Sequence, residues 1–399
     1  MNGKRQKCSE FILRDGKQHH IYSSRMIGIR RHPLWERRSM TKNIIPIGPQ
    51  HPLLKEPISV NIEVSGEDVL GGSLRIGYVH RGIERLAQER TYVQNVHLIE
   101  RICGICSHVH TTTFCYAVED LLGVEIPPRA QYIRALMCEL ERIHSHLLWI
   151  GILAKHIGLD MVFMHSWHNR EIVLDIMEAL SGGRVSHAAN LIGGVRFDMD
   201  AEHESMVRRK LQKLGDQLFG VLDAIRTDPT IRARTIGVAP ITADQIREYS
   251  VVGPVARASG VAVDMRRDSP LPPYDKLDFN VITYPEGDAW ARTMVRVDET
   301  RESLKLCESI LDQMPEGPVT TRVRRKVPAG ETVIRAEAPR GEVFYYLRSD
   351  GSEFPARLKI RTPTLAALSL IPVQLSEIRV ADIPVVLAGI DLCIACADR

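Results

Sequence analysis

The first ordered-looking stretch of the chain alternates apolar and polar residues. Residues 58–64 place Ile, Val, Ile and Val at every second position, which is typical of a strand with one buried face. Residues 65–68 read as a turn, and a second strand is predicted at about 72–79. We therefore expect a small antiparallel sheet near the N-terminus.

Helical periodicity dominates the middle of the chain. Two prolines, Pro127 and Pro128, open a long predicted helix, because proline is favoured in a first turn. Its apolar residues then recur at three- and four-residue steps, at Ile133, Leu136, Met137, Leu140, Ile143, Leu147 and Leu148. Further helices are predicted at 83–100, 109–122, 166–180, 201–226 and 287–313. Together they predict a helical-bundle core.

Short β-like runs replace the helices beyond Pro315. They lie at 332–335, 342–347 and 358–361, and a leucine-rich helix is predicted near 364–371. The fold class is therefore predicted to be α+β, mainly α, with a small N-terminal antiparallel sheet and short C-terminal β elements. No internal repeat is visible, so residues 40–399 are predicted to form a single domain.

Residues 1–39 differ from the rest of the chain. They are rich in Arg, Lys, His and Ser and show little apolar periodicity, which predicts a basic, flexible tail. A partner-binding segment is the alternative, and Met40 is a candidate start of the ordered chain.

Composition narrows the class of protein. The 399 residues are 44% hydrophobic and 25% charged, which is ordinary for a soluble globular protein, and the net charge of +3 gives no argument for nucleic-acid binding. No stretch reaches the roughly 18 apolar residues of a membrane span, because Lys155, His156 and Asp160 interrupt the most apolar candidate. The start of the chain has no apolar segment of a signal peptide. We expect a soluble or peripheral protein.

The eight cysteines carry the strongest chemical signal. They are too sparse for a disulfide scaffold and suit a reducing compartment. Four of them form two C-x-x-C pairs, Cys103 with Cys106 and Cys393 with Cys396. Four thiolates could hold structural zinc, an iron–sulfur cluster or a nickel–iron site. Zinc pairs usually lie about 15–20 residues apart, which makes zinc the weaker alternative for pairs at opposite ends of a domain.

The residues around these pairs resemble those of a known family. The segments 101–107 and 391–399 are similar to the N- and C-terminal active-site motifs of nickel–iron hydrogenase large subunits. Shorter motifs resemble the group 4 branch, the membrane-associated energy-converting hydrogenases related to the quinone-site subunit of respiratory complex I; they lie at 48–52, 80–84, 143–149, 257–260 and 338–341. The resemblance covers about residues 43–399 and implies the large-subunit fold.

The resemblance implies a role for each sulfur. Cys103 and Cys393 would be terminal nickel ligands, and Cys106 and Cys396 would bridge nickel and iron in a Ni-Fe(CN)2CO centre. Thiolates suit this use because they are soft anionic donors. Glu56 lies near the position of a carboxylate that binds Mg²⁺ in related enzymes, so it is a further candidate metal ligand.

Four other residues match positions around that centre. Glu84 matches a glutamate that relays the proton released from H2, and the alternative is an ordinary glutamate at a helix start. Arg340 would lie over the metals, Asp391 would pair with it or position the second cysteine pair, and His110 would donate a hydrogen bond to a bridging thiolate. A structural role is the alternative for each of these three.

The remaining candidates are predicted to be structural, and two positions depart from the family pattern. His144 and His146 should point to different faces of one helix, while the isolated cysteines are predicted to be small buried residues, at Cys115, Cys138 and Cys307. Leu392 replaces a proline before the third cysteine, and Arg399 stands where many relatives have histidine.

The function implied by the resemblance is reversible H2 oxidation and proton reduction. Electrons would pass through a small subunit with a 4Fe-4S cluster to or from ferredoxin. Antiporter-like membrane subunits would translocate ions, with this chain peripheral on the cytoplasmic side of the membrane. The alternative is a complex I-like quinone-binding subunit, or a metal-free electron-transfer subunit, although such relatives lack one or more of the four cysteines.

Overall fold

The computed structural model describes residues 42–399, so the predicted tail at 1–39 and the candidate start at Met40 lie outside the described residues. The described part of the chain begins with a three-stranded antiparallel sheet in the order β1-β2-β3, formed by Asn43–Ile47, Ser59–Ser65 and Asp68–Arg75. In β2 the side chains of Val60, Ile62 and Val64 are buried, which confirms the alternation read from the sequence.

Helices make up most of the middle of the chain. The first five are α1 to α5, at Ile83–Ala87, Tyr92–Glu100, Ser107–Leu122, Pro128–His156 and Asp160–Ser181. A two-stranded ribbon, β4 and β5, comes next at Asn190–Leu191 and Gly194–Val195. The next six helices are α6 to α11, at Ala201–Thr227, Pro229–Thr235, Ala243–Glu248, Pro254–Arg257, Met265–Asp268 and Ala289–Gln313.

The C-terminal part returns to β structure before the last helices. Strands β6, β7 and β8 form an antiparallel sheet in that order, from Gly330–Ala338, Gly341–Ser349 and Pro355–Arg361. Four short helices close the chain, α12 to α15, at Pro363–Ala367, Ile371–Gln374, Ile383–Ile390 and Ile394–Asp398. The predicted fold class, α+β and mainly α, is confirmed.

The long helix α4 is the centre of the bundle. It packs against α5, α11 and α14, and its apolar residues are almost completely buried. The indole Nε1 of Trp149 donates a hydrogen bond of 2.6 Å to the carbonyl of Ala388 in α14. This bond ties the bundle to the segment that leads into the second cysteine pair.

A buried ion-pair network joins the bundle to the C-terminal sheet. The Arg257 guanidinium donates to Glu299 at 2.7 Å and to Glu337 at 2.8 Å. Arg142 in α4 donates to the carbonyls of Glu337 and Ala338 at 2.7 and 3.1 Å. Because an unpaired buried charge is costly, these contacts fix the end of β6, two residues before Arg340.

Four predicted boundaries are wrong. The helix expected at 83–100 is broken at 88–91, where Thr91 and Gln94 form a reciprocal capping box that starts a new helix. The strand expected at 72–79 is Asp68–Arg75. The leucine-rich helix near 364–371 is a series of short helical turns, since Pro363 and Pro372 each start a turn without donating a backbone N–H. The helix expected at 166–180 begins earlier, at Asp160.

Candidate metal centre

The first cysteine pair lies at the junction of α2 and α3. Cys103 follows the last turn of α2, and its sulfur accepts a hydrogen bond of 3.3 Å from the Ile105 amide. Cys106 is the residue immediately before α3. This places both sulfurs at the N-terminal end of a 16-residue helix, where the helix dipole favours negative charge.

A buried carboxylate holds that helix end in place. Glu141, on α4, accepts hydrogen bonds from the amides of His108 and Val109 at 2.6 and 3.0 Å. Burial raises the pKa of Glu141 to about 8, although these two bonds favour its charged form. Glu141 thereby satisfies two of the helix amides that have no partner within the helix itself.

The second cysteine pair is held in a similar way from another part of the chain. Cys393 precedes the short helix α15, and the carboxylate of Glu56 accepts hydrogen bonds from the amides of Ile394 and Ala395. The Cys393 amide donates to the Thr364 hydroxyl at 3.3 Å. Glu56 therefore anchors the loop that carries Cys393 and Cys396.

The fold brings the two pairs together across 290 residues of sequence. The sulfurs of Cys103 and Cys393 are 3.3 Å apart, and those of Cys106 and Cys396 are 3.4 Å apart. All four side chains are buried, and none forms a disulfide. The first cysteines of the two pairs are neighbours, and so are the second cysteines. The division into terminal and bridging ligands stays a prediction.

The electrostatics of the four thiols fit a bound metal. Hydrogen bonds from the other three thiols lower the pKa of Cys103 well below its ordinary value. The hydrogen bond that each shares with Cys103, followed by burial and the charge on Cys103, raises the pKa of Cys106, Cys393 and Cys396. Deprotonation of a second thiol in this buried space is therefore unfavourable unless a positive charge lies close to it. A bound metal ion supplies that positive charge. Nickel, iron and zinc all accept such a donor set.

Arg340 and Asp391 lie beside the cluster and bind each other. Arg340 Nε donates to the Asp391 carbonyl and Nη2 donates to its carboxylate, each at 2.9 Å. Lys55 Nζ lies 3.5 Å from the same carboxylate. Nη1 of Arg340 and Oδ2 of Asp391 are buried with no protein partner among the described residues. Asp391 adopts a left-handed conformation with φ of 59°, which turns the chain into the second pair.

His110 contacts the cluster directly. Its Nε2 lies 3.6 Å from the sulfur of Cys396, and its Nδ1 lies 2.7 Å from the hydroxyl of Tyr345. Burial lowers the pKa of His110 to about 4, so the ring is neutral at physiological pH. This geometry is compatible with the predicted hydrogen bond to a bridging thiolate.

Glu84 lies outside the sulfur cluster. Its carboxylate accepts hydrogen bonds from the Ile360 amide at 3.0 Å, Lys359 Nζ at 3.0 Å and Arg399 Nε at 3.1 Å. Burial favours its neutral form, but these bonds outweigh it and lower the pKa of Glu84. It lines a cleft open to solvent with His80, Asp398 and Arg399. Glu84 is thus placed between the C-terminal segment of the site and the surface.

The geometry does not provide Glu56 with the ligand set of Mg²⁺. Both of its oxygens accept backbone N–H groups, and no group of three metal-ligating side chains within residues 42–399 includes it. Magnesium prefers six oxygen ligands in octahedral geometry. The described residues therefore support an anchoring role for Glu56, and Mg²⁺ binding stays a prediction.

His144 and His146 of α4 point to different places, as predicted. His144 Nε2 donates to the Ile105 carbonyl at 3.1 Å, because its Nδ1 accepts from Arg170. His146 Nε2 instead bonds to Glu299 at 2.9 Å. The isolated cysteines are buried in the hydrophobic core, at Cys115, Cys138 and Cys307.

Sequence reasoning missed Tyr345, Glu141 and Lys55. The sequence gives a weak signal for a polar role of Tyr345. The inward-facing residues two positions away on β7 are aliphatic, namely Val343 and Leu347, so a buried tyrosine hydroxyl is unusual there. Glu141 lies within the apolar face of α4, where a carboxylate needs hydrogen-bond donors.

Two family patterns match the chain. The family described as "Respiratory-chain NADH dehydrogenase, 49 Kd subunit" matches residues 156–327 and 321–399. The family described as "Nickel-dependent hydrogenase" matches residues 81–168, which include the first cysteine pair. The chain belongs to this group of related subunits, and its resemblance to group 4 nickel–iron hydrogenase large subunits is confirmed.

Similar proteins include two hydrogenases. The carbon monoxide-induced hydrogenase of Rhodospirillum rubrum is 42% identical over 361 residues, which are 90% of this chain and 100% of the relative. The membrane-bound hydrogenase subunit alpha of Pyrococcus furiosus is 40% identical, over 89% of this chain and 87% of the relative. A chain of the archaeal membrane-bound sulfane sulfur reductase superposes with a TM-score of 0.86 at 32% identity, over 90% of this chain and 98% of that one.

Quinone oxidoreductase subunits are also similar, at lower identity. A subunit of the NADH-quinone oxidoreductase of Solibacter usitatus is 35% identical over 90% of this chain and 98% of the relative. The higher identity to the two hydrogenases supports the hydrogenase interpretation over the quinone-binding alternative. Within residues 42–399, no helix combines the length and apolar character that crossing a membrane requires.

Proposed function

We propose that this chain is the catalytic large subunit of an energy-converting nickel–iron hydrogenase. The observation that carries the proposal is the meeting of four cysteine sulfurs in one buried cluster, in a chain that belongs to a family with nickel-dependent members. Cys103, Cys106, Cys393 and Cys396 would hold a Ni-Fe(CN)2CO centre. That centre, when bound, supplies the redox chemistry that interconverts H2 with two protons and two electrons.

The residues around the cluster would orient ligands and balance charge. Arg340 is buried and paired with Asp391, and its Nη1 has no hydrogen-bond partner among the described residues. A guanidinium in that position stabilises anionic ligands by charge and hydrogen bonding. Glu56 and Glu141 accept hydrogen bonds from backbone amides of the two cysteine loops, so they would hold the four sulfurs at a fixed separation.

Protons would leave through the cleft that Glu84 lines. Glu84 contacts Arg399, three residues after Cys396, and its cleft opens to solvent. A carboxylate between a buried site and water can accept a proton and pass it on. The contacts with Ile360, Lys359 and Arg399 lower the pKa of Glu84, so its carboxylate is ionised at neutral pH and would hold a proton only briefly before releasing it to solvent.

Electrons would leave through another subunit. Within residues 42–399, both groups of potential metal-binding side chains belong to the cluster already described. A small subunit with a 4Fe-4S cluster would therefore carry electrons to or from ferredoxin. The membrane-bound complexes among the relatives support membrane partner subunits. In our proposal those subunits translocate ions, and this chain is peripheral on the cytoplasmic side.

Hydrogen–deuterium exchange tests the activity itself. The purified complex, supplied with H2 in D2O, should form HD without any electron acceptor, because exchange requires cleavage of H2 and proton transfer alone. Cys396→Ser should abolish HD formation, whereas Cys307→Ser, which alters a core cysteine outside the cluster, should retain it. A wild-type complex with a full metal complement and no HD formation would contradict the proposal.

A further inference from the structure

Tyr345 carries a buried hydroxyl at the edge of the cysteine cluster. It is on β7, between the inward-facing Val343 and Leu347, and all three side chains are fully buried. The Tyr345 hydroxyl lies 2.7 Å from His110 Nδ1, and His110 Nε2 lies 3.6 Å from Cys396 Sγ. A hydroxyl in such apolar surroundings is costly unless it forms a hydrogen bond, and His110 is its partner.

The positions of the protons on the Tyr345 hydroxyl and the His110 imidazole can be assigned. A neutral imidazole has one N–H, so one nitrogen donates and the other accepts. A phenol has an ordinary pKa of about 10, so the Tyr345 O–H is protonated at neutral pH and can donate. If Nδ1 carried the imidazole proton, the lone pair of Nε2 would face the electron-rich sulfur of Cys396. If Tyr345 donates to Nδ1, the proton is on Nε2 and both contacts are attractive.

We propose that Tyr345 is a positioning residue that fixes the tautomer of His110, so that Nε2–H donates to the sulfur of Cys396. The inference rests on the proposed nickel–iron centre. An N–H donor withdraws electron density from a metal-bound thiolate, and the partner that sets the donor's tautomer controls this effect. Tyr345 would thus change the electron density at the metals without contacting them.

Infrared spectroscopy of the purified complex tests this role without relying on activity. Tyr345→Phe removes one oxygen and keeps the ring. Loss of the tautomer preference should weaken the Nε2–H bond to Cys396, leave more electron density on iron and shift the carbonyl stretching band to lower wavenumber. Tyr346→Phe is the matched control: it removes a neighbouring hydroxyl that bonds to exposed Glu331 at 2.8 Å, and it should leave the band unchanged.

A double-mutant cycle separates positioning from packing. In His110→Gln the side-chain amide donates an N–H whatever Tyr345 does, so adding Tyr345→Phe should cause no further shift. An equal shift in both backgrounds would overturn the proposal, as would an unshifted band in Tyr345→Phe alone. If the Tyr345→Phe variant does not retain the nickel–iron centre, retention of the centre in the double variant supports the positioning role of Tyr345. Loss of the centre in both variants overturns the proposal. A wild-type complex without carbonyl bands overturns the proposed function, and this inference with it.

Discussion

Glu84→Gln separates proton transfer from assembly of the site. The substitution keeps the side-chain shape and removes one negative charge from the cleft. A general acid or base contributes typically 10²–10⁴-fold to a rate, so H2 turnover per nickel should fall by about that factor. The carboxylate forms no hydrogen bond to any of the four cysteines, so the metal content should stay close to that of the wild type.

The expected loss of stability is small by comparison. The pair with Lys359 is more than half exposed on the lysine side, and exposed pairs contribute about 0.2–1 kcal/mol. Charged hydrogen bonds such as that with the more buried Arg399 contribute about 1.5–3 kcal/mol. A total of about 2–4 kcal/mol leaves a stable domain folded, so unfolding would not account for a hundredfold loss of turnover.

The assay is dye-linked H2 oxidation normalised to bound nickel, with thermal unfolding measured on the same samples. Glu89→Gln is the matched control, since Glu89 pairs with Arg85 at 2.9 Å on the exposed surface of the same region. It should leave turnover unchanged. Wild-type turnover in Glu84→Gln, or an equal loss in Glu89→Gln, would refute the relay role.

Three further predictions concern the groups that hold the site. Glu141→Ala leaves two amides of α3 without acceptors, at about 1–3 kcal/mol each, and should lower both the melting temperature and the bound metal. Asp391→Ala breaks a buried pair, which typically costs about 3–5 kcal/mol; Asp391→Asn, which tolerates the left-handed conformation, should lose less in the same unfolding assay. Burial raises the pKa of Glu299, but the charge of Arg257 and the hydrogen bond with His146 outweigh burial and lower it to about 2. This is below the unfolded value of about 4.3. Its contribution to stability is therefore complete above about pH 5 and lost as pH falls towards 2, and Glu299→Gln should flatten that part of the pH–stability curve.

Each of these has a result that contradicts it. Full metal loading and an unchanged melting temperature in Glu141→Ala would show that the helix end needs no external acceptor. Equal destabilisation by Asp391→Ala and Asp391→Asn would show that tolerance of the left-handed conformation at position 391 does not contribute to stability. Parallel acid-unfolding curves for wild type and Glu299→Gln would show that Glu299 keeps an ordinary pKa in the folded protein.

Periodicity predicted the elements better than their ends. The alternation in β2 and the apolar steps of α4 have direct physical causes, because one face of each element is buried. The break in the helix at 88–91 depends on a local capping box, Thr91 with Gln94, rather than on the apolar periodicity. The fold class could be predicted from the sequence, whereas the ends of the helices and strands depended on local caps and tertiary contacts.

The site was predictable only in part. Two C-x-x-C pairs indicate a four-thiolate site, but spacing alone does not show that pairs 290 residues apart meet; the family resemblance carried that prediction. Contacts such as Glu141 with the α3 amides, or Tyr345 with His110, join elements far apart in sequence. No periodicity encodes them, because each depends on how separate elements pack against each other.

The most direct test of the account is the metal centre itself. Elemental analysis and infrared spectroscopy of the purified complex should show one nickel for each chain, with iron, and bands from iron-bound cyanide and carbonyl. Cys103→Ser and Cys393→Ser should each lose nickel, since each removes one of the four thiolates. Zinc in place of nickel, with no cyanide or carbonyl bands in a complex purified without oxygen, would contradict the account.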